Sequence, residues 1–294
     1  VEILIALYTV RTKKGKNMKK IAIVGHGYVG KACEYGFNTK KNKIQLIDPF
    51  LYNNSVDDMT DVDVSFVCVP TPFGADGQID ASIVVDVTNK LIEKTTGLIV
   101  IKSTVIPSIV KELSTKNSRV IYNPEFLTER NALEDFVNPP MHIFGGEAKS
   151  VDTLENLYNK FSRCKPAPVY KMAAQDAAFV KYGINSFLAT KVMWFNQYKE
   201  LIDSHGADYD NIITAVGTDP RISHSHTQVP GPDGRSGFGG ACFPKDTNAL
   251  SSFAGADHLS ILKLVIAENN SVRSQYELDA REKEQNVVYI SNDV

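Results

Sequence analysis

The sequence predicts an α/β protein, in which an N-terminal doubly wound parallel sheet is followed by an all-helical domain with one long central helix. Three observations lead to this prediction. An apolar run at residues 21–24 leads directly into the glycine-rich stretch GHGYVG. Further apolar runs follow at the spacing of alternating strands and helices. From about residue 173, apolar residues recur at helical spacing for more than thirty positions.

The composition excludes several classes of protein. The chain has 294 residues, 43% of them hydrophobic, and a formal net charge of -2. This suits one large or two ordinary domains, and it supplies no basic surface for nucleic acid, so any bound phosphate is expected on a small molecule. Because the four cysteines are scattered without metal-ligand spacing, we predict no metal site and a reducing cytoplasm.

The first seventeen residues precede a methionine, Met18, that opens the first predicted strand. Their apolar part is too short to span a bilayer, and their basic cluster follows it, whereas a secretory signal carries positive charge in front. We therefore predict neither a membrane segment nor a targeting signal. Residues 1–17 are interpreted as an upstream extension outside the core, with an added edge strand or helix as the alternative.

The first strand and its glycine turn are typical of Rossmann-type dinucleotide-binding folds. Gly25 would form the turn, Gly27 would let the backbone approach a pyrophosphate, and Gly30 would let the helix pack on the strand. The second strand ends at Asp48, 18 residues after Gly30, at about the spacing of an acid that binds the adenosine ribose. Because this carboxylate would repel a 2′-phosphate, the sequence favours NAD over NADP.

The remaining strands of the sheet are predicted from apolar runs at residues 63–70, 97–104 and 119–126. A helix at 79–94 lies between the first two, and the NAD-binding domain is predicted over residues 18–168. Ligands bind beyond the carboxyl ends of such strands. The polar residues at those ends are therefore candidates to line a site, with ordinary turn chemistry as the alternative: Thr71, Ser103, Thr104, Asn123 and Glu125.

A helix is predicted over residues 173–205, closed by Gly206 as a C-terminal cap. Lys181 and Asn185 are four residues apart and share one face within its apolar stripe. Such a pair either extends its polar ends to water or is held in a pocket. The helix also offers a surface for a symmetric partner, which predicts a homodimer. The helical domain is predicted over 169–275, followed by a polar tail, residues 276–294.

A lone cysteine, Cys242, stands in the stretch FGGACFPKD at residues 238–246. One interpretation is a buried cysteine behind a turn, since free cysteine packs as a small apolar residue. The other is a nucleophile, because glycines let a substrate approach the backbone and nearby positive charge favours the thiolate. The segment alone leaves both open.

Taken together, the motifs resemble those of the UDP-glucose dehydrogenase family, in the same order: MKKIAIVGHGYVG, VCVPTP, KSTV, YNPEFLTE, KYGINSFLATKV, DPRI and GFGGACFPKDTNAL. The resemblance runs from Met18 to about Arg273, and the segment around Cys242 is its most specific part. It implies an NAD-dependent, four-electron oxidation of the C6 hydroxyl of a nucleotide sugar, UDP-glucose to UDP-glucuronate. Cys242 would be the nucleophile.

The resemblance also implies roles for single residues. Lys181 and Asn185 would stabilise the developing oxyanion, Asp246 and Thr104 would position water, and Glu125 would act as general base. The implied cofactor-binding residues are Gly25, Gly27, Tyr28, Val29, Gly30, Asp48, Thr71, Thr104, Glu129 and Lys245. The implied substrate-binding residues are Glu125, Phe126, Leu127, Lys181, Asn185, Arg221 and Gly239, with Arg221 reaching the site from around a subunit boundary.

Family members usually carry a further C-terminal domain that grips UDP, and residues 276–294 are too few and too polar to form one. We expect residues 223–240 to fold over part of the nucleotide in its place. Two alternatives stay open. One is an NAD-binding dimer without turnover that serves as a regulatory or assembly partner. The other is a dehydrogenase of the 6-phosphogluconate or hydroxyacyl-CoA type, which would leave FGGACFPKD unexplained.

Overall fold

The computed structural model describes residues 18–74 and 77–289. The extension predicted at residues 1–17 lies outside the described residues. The strands are β1 (Lys19–Val24), β2 (Asn42–Ile47), β3 (Val64–Val67), β4 (Leu98–Ile101), β5 (Val120–Tyr122), β6 (His142–Gly145) and β7 (Val169–Met172). The helices are α1 (Tyr28–Phe37), α2 (Ser82–Lys94), α3 (Pro107–Lys116), α4 (Ala132–Val137), α5 (Ala148–Phe161), α6 (Ala174–Ser204), α7 (Tyr209–Thr218), α8 (Phe243–Ala254), α9 (Ser260–Arg273) and α10 (Ala280–Glu284).

The seven strands form one sheet in the order β2-β1-β3-β4-β5-β6-β7, which confirms the predicted α/β architecture. The strands from β1 to β5 are parallel, whereas β6 runs antiparallel to β5 and β7 is parallel to β6. The sheet therefore extends to Met172, four residues past the domain boundary expected at residue 168. Strand β7 gave no apolar signal because it lies at the sheet edge with no fully buried residue.

Both faces of the sheet are covered, as the continuous apolar runs predict for parallel strands. In β1, Ile21 and Ile23 belong to a core shared with α1, α4 and α5. Ala22 and Val24 belong to a core on the other face, shared with α2, α3 and the first turns of α6. The long helix thus begins as a covering helix of the sheet before it enters the helical domain.

The strand order reverses between β1 and β3, and this reversal opens a crevice at the carboxyl ends of the strands. The turn after β1 lies in the crevice, with Gly25 at φ +87°. A Cβ at Gly25 would lie 2.6 Å from the carbonyl oxygen of Cys68, and one at Gly30 would lie 2.0 Å from the carbonyl oxygen of Gly25. Both glycines are required by close backbone packing, in agreement with their predicted roles.

Helix α6 extends over 31 residues from Ala174 to Ser204, close to the predicted bounds, and Gly206 follows it at φ +67°. Its second half packs in a separate core, where Ala189 and Met193 meet Phe238 of the loop before Cys242. None of the helices in the described ranges combines the length and apolar character needed to cross a membrane.

The two glycines of the first turn provide a matched test of this packing. Gly25→Ala should lower the free energy of unfolding by about 3 kcal/mol, because the methyl group meets backbone atoms and φ is positive. Gly27→Ala should cost less than about 1 kcal/mol, since a Cβ there meets no atom within 4 Å. Chemical denaturation of the two variants measures the difference, and equal stabilities would contradict this account of the turn.

Candidate active site

Cys242 caps the N-terminus of α8, and the local sequence explains why the helix begins there. Pro244 lies in the first turn, where a missing N–H costs nothing, and Asp246 supplies an acid near the positive end of the helix dipole. The backbone N–H of Asp246 donates to the carbonyl of Cys242 at 2.8 Å. As a result the cysteine is exposed, while the Asp246 side chain, one turn on, is fully buried.

The carboxylate of Asp246 joins two helices beneath the cysteine. Its Oδ2 accepts a hydrogen bond from Asn185 Nδ2 of α6 at 2.7 Å. Its Oδ1 forms an ion pair with Lys245 Nζ at 2.6 Å. Asn185 and Lys245 are themselves buried, so this carboxylate is held in one position.

A second buried ion pair lies one turn earlier on α6. Lys181 Nζ lies 3.0 Å from Glu125 Oε1 and donates to the Glu125 carbonyl oxygen at 2.6 Å. Lys181 is only 3% exposed, so it is held in a pocket rather than extending to water. Burial lowers its pKa, but the charges of Glu125, Asp246 and Cys242 outweigh burial and leave the pKa above its usual value. Lys181 is therefore a cation at neutral pH.

The Cys242 thiol is not held as a thiolate by these surroundings. Although the residue is exposed, protein atoms crowd the thiol, and this desolvation raises its pKa most strongly. Asp246 and Glu125 raise it further, Lys181 and Lys245 lower it, and the result is a pKa of about 11. Nearby positive charge does favour the thiolate, as expected, but desolvation and the two carboxylates outweigh the two lysines.

The loop after β5 lies between the cysteine and the glycine turn. Leu127 N donates to Glu125 Oε2 at 2.6 Å, and Lys181 Nζ lies 5.4 Å from the centre of the Phe126 ring. The Tyr28 hydroxyl donates to the Thr128 carbonyl of the same loop. The structure thus places Tyr28, at the start of α1, beside the residues that surround Cys242.

Other predicted residues lie further from this cluster or have other partners. Glu129 is exposed and forms an ion pair with Arg281 at 3.3 Å, and Arg221 is exposed and paired with Asp219 at 2.6 Å. Gly239 lies against Arg273, which is almost fully buried.

Thr71 and Thr104, which are predicted to bind the cofactor, lie buried beyond the ends of β3 and β4. The carboxylate of Asp246 is bonded to Asn185 and Lys245, so its implied partnership with Thr104 stays a prediction.

Comparison with known proteins places this geometry in a family. Residues 50–162 match the NAD binding domain of the UDP-glucose/GDP-mannose dehydrogenase family, and residues 175–271 match the central domain of the same family. The chain belongs to this family. The resemblance seen in the sequence motifs is thereby confirmed, and so is NAD as the cofactor of the N-terminal domain.

Similar proteins and solved structures support the assignment of the chain to this family. A UDP-glucose 6-dehydrogenase of Rickettsia bellii is 37% identical over 225 residues, which are 72% of this chain and 50% of the relative. UDP-glucose 6-dehydrogenase TuaD of Bacillus subtilis is 29% identical over 87% of this chain and 64% of its own. A UDP-glucose dehydrogenase structure from Pyrobaculum islandicum superposes with a TM-score of 0.73 at 27% identity, covering 88% of this chain and 70% of that chain. The chain thus spans about half to two thirds of the length of these curated relatives.

The residues of the first turn fit the NAD of this family. A Cβ at Gly27 would meet nothing within 4 Å, so the backbone is open where a pyrophosphate would approach the start of α1. Asp48 Oδ2 accepts from the His26 N–H at 2.9 Å, and Oδ1 accepts from the N–H groups of Phe50 and Leu51. Partial burial raises the Asp48 pKa, but these hydrogen bonds outweigh it and lower the pKa overall. The carboxylate is therefore ionised, as ribose binding requires.

A buried polar cluster that the sequence analysis did not single out supports Glu125. Lys102 Nζ donates at 3.1 Å to both the backbone and side-chain oxygens of Asn123, and the Tyr158 hydroxyl donates to the same side-chain oxygen at 2.7 Å. Burial lowers the pKa of Lys102. These bonds fix the strand end from which Glu125 projects. A lysine directly after the apolar strand LIVI was the available signal.

Lys181 and Lys245 both lower the pKa of the Cys242 thiol, so the effect of a single lysine can be tested by substitution. Lys181→Met should raise the pKa of Cys242 above its present value, because it removes a cation that lowers it. Alkylation of Cys242 by iodoacetamide, followed by peptide mass spectrometry across a pH series, should shift to higher pH by about one unit. Lys199→Met, which removes a half-buried lysine of the same helix that is paired with Asp203, serves as control. An unchanged profile in Lys181→Met would contradict the proposed electrostatics.

Proposed function

We propose that this chain oxidises the C6 hydroxyl of a nucleotide sugar, UDP-glucose, to the carboxylate with NAD as the oxidant, through covalent intermediates on Cys242. The observation that supports this proposal is an exposed cysteine at the start of α8, with the interacting side chains of Lys181, Asn185 and Asp246 fixed near it. A merely structural cysteine would be expected in the core, as Cys33 is.

The covalent chemistry assigns one step to each group. Bound NAD accepts one hydride in each of the two oxidations. The Cys242 sulfur attacks the carbon of the aldehyde formed by the first oxidation, and the aldehyde oxygen takes up a proton to give a thiohemiacetal. The second oxidation removes the remaining hydrogen of that carbon as hydride, the hydroxyl proton passes to a base, and a thioester is left. Water then adds to the carbonyl, the carbon–sulfur bond breaks, and the acid and the free thiol are released.

Lys181 and Asn185 would stabilise the oxygen that becomes negative in these steps. Two of the three N–H groups of Lys181 point to Glu125, which leaves the third for a substrate oxygen. One N–H of the Asn185 amide is bonded to Asp246, and the other is available in the same way. Because both side chains are buried and already oriented, they need little reorganisation when the charge develops.

The carboxylates would handle the protons. At a pKa of about 11 only about one Cys242 in ten thousand is a thiolate at neutral pH, so the thiol proton must pass to a base as sulfur attacks. Asp246, fixed one turn below the thiol, is the proposed acceptor or the group that orients a water to accept it. Glu125 is the proposed base for the water that cleaves the thioester, and its ion pair with Lys181 holds it in position.

The direct test is to incubate the purified chain with UDP-glucose and NAD and to record the absorbance of reduced NAD. We expect two molecules of reduced NAD for each molecule of UDP-glucuronate. Binding of NAD without turnover would instead favour a regulatory or assembly partner. One molecule of reduced NAD for each sugar would favour a dehydrogenase without thioester chemistry.

The four cysteines, none of them in a disulfide, suit the proposed cytoplasmic location.

Replacement of the nucleophile tests the mechanism. Cys242→Ser should keep NAD affinity but lower turnover by about a thousandfold or more, because a hydroxyl is a much weaker nucleophile at neutral pH. A sugar ester on the introduced serine should be detectable by intact mass spectrometry. Cys68→Ser, at a buried position after β3, should mainly lower stability, by about 1 to 3 kcal/mol. Turnover of Cys242→Ser at the parent rate would refute the thioester mechanism.

We also propose a homodimer through α6. The helix carries a stripe of large apolar side chains that are about half exposed or more, at spacings of eight and seven residues: Phe179, Phe187, Trp194 and Leu201. Lys191 of the same helix donates to the carbonyls of Ile222 and Ser223, which follow Arg221. The exposed Arg221 is thus tied to the proposed interface, which agrees with its implied approach to a partner's site.

Charge introduced into the stripe should dissociate the dimer. Trp194→Asp should shift the mass measured by light scattering at micromolar concentration from dimer to monomer, because an unpaired carboxylate would be buried at the interface. Leu133→Asp, at an exposed position of α4, should leave the dimer intact. A parent chain that is monomeric at that concentration would rule the interface out.

A further inference from the structure

The C-terminal segment, residues 274–289, folds back onto the loop that leads to Cys242. Within α10 of this segment, Glu282 is only 1% exposed. Its Oε1 accepts hydrogen bonds from the backbone N–H of Gly240 at 3.1 Å and from the Tyr289 hydroxyl at 2.7 Å. Gly240 lies two residues before Cys242, at φ +77°. A buried carboxylate of the segment is thus bonded directly to the backbone next to the proposed nucleophile.

Close packing also restricts Gly239, the residue before Gly240. A Cβ at Gly239 would lie 1.9 Å from Arg273 Nη2 and 2.5 Å from Glu282 Oε1. Arg273 is 2% exposed, and its Nη2 forms an ion pair with Asp233 at 2.7 Å. The loop before Cys242 is therefore held at Asp233 by a buried arginine and at Gly240 by a buried glutamate, with Gly239 lying against both side chains.

The orientation of Glu282 is set by its own helix. Its Oε2 accepts from the backbone N–H of Asp279 at 2.9 Å, in a capping box at the start of α10. Arg235 Nη1 lies 3.8 Å from the same oxygen. A buried carboxylate is costly unless hydrogen bonds and a cation compensate it, so movement of the loop away from Glu282 would leave that cost uncompensated.

The same segment also contacts the NAD-binding domain. Arg281 Nε lies 3.3 Å from Glu129 Oε1, and the backbone N–H of Phe73 donates to the Gln285 carbonyl at 2.9 Å. Glu129 follows the loop that carries Glu125, and Phe73 follows the loop after β3. Residues on both sides of Glu282 therefore contact loops at the carboxyl ends of the strands.

We propose that Glu282 is a positioning residue for the reaction: it holds the Gly239–Gly240 backbone and thereby sets where the Cys242 thiol stands relative to Lys181 and Asp246. The inference rests on the proposed function of Cys242 and adds a residue outside the matched family domains, which end at residue 271. Glu282 acts through its hydrogen bond to the backbone N–H of Gly240.

The test compares two acid-to-amide changes in the same segment. Glu282→Gln removes the negative charge of the side chain. It also replaces one acceptor oxygen by an amide N–H, which would face the backbone N–H of Gly240 or of Asp279 instead of accepting from it. Glu277→Gln makes the same change at an exposed side chain and serves as control. For each purified variant, iodoacetamide alkylation of Cys242 is followed across a pH series, and NAD affinity and the kcat and KM for UDP-glucose are measured.

In Glu282→Gln, the loop should loosen and water should reach the thiol, which relieves the desolvation that raises the Cys242 pKa most strongly. The alkylation midpoint should then fall, and alkylation near pH 8 should quicken about tenfold for each unit of change. We expect kcat to fall about tenfold with NAD affinity unchanged within about twofold, and Glu277→Gln to match the parent. A midpoint at or above the parent value would overturn the proposal, even if the variant melts at a lower temperature.

A milder variant covers the case in which Glu282→Gln does not fold. Tyr289→Phe removes one donor to Glu282 and should shift the alkylation midpoint in the same direction by a smaller amount. If the parent chain does not oxidise UDP-glucose, the proposed function fails, while the alkylation profiles still decide whether Glu282 positions the cysteine. If the parent is active and both variants keep its midpoint, the positioning role fails and the proposed function stands.

Discussion

The buried carboxylate of Asp246 is the constraint on which the rest of the candidate site depends. A fully buried carboxylate must be compensated, and here the compensation comes from Lys245 on one side and Asn185 on the other. Because Asn185 belongs to α6 and Asp246 to α8, satisfying this charge fixes the two helices against each other. The N-terminus of α8, and with it Cys242, is placed by the same requirement.

Helix α6 connects this arrangement to the cofactor domain. Its first turns pack on the sheet through Ala177, Ala178 and Tyr182, and Lys181 lies among them. The ion pair from Lys181 to Glu125 therefore joins a helix to a strand-end loop of the sheet. One element covers the NAD-binding sheet and supplies two polar groups of the candidate site, so the sheet and the helical domain are joined by core packing.

In the proposed reaction, the charges around the cysteine require the site to move protons as well as hydride. Two lysines and two carboxylates influence the thiol, and together with desolvation they leave it protonated at neutral pH. A protonated thiol is protected from non-specific oxidation, because oxidation proceeds through the thiolate. In the proposed reaction it becomes a nucleophile only when its proton can pass to a nearby base, so reactivity is tied to the arrangement of Asp246 and Glu125.

Features that depend on local patterns could be predicted from the sequence. The G-x-G-x-x-G turn, the apolar parallel strands and the bounds of α6 follow from backbone conformation, burial and capping, which are properties of neighbouring residues. The family motifs added the candidate roles. The burial of Lys181 and Asn185, the ion pair of Asp246 with Lys245 and the raised thiol pKa became visible only in the folded protein. These outcomes depend on charges distant in sequence, and no local pattern specifies which of them meet. The same holds for β7 and Glu282, because an edge strand lacks an apolar run and a glutamate in a polar tail shows no sign of burial until the chain folds back on itself.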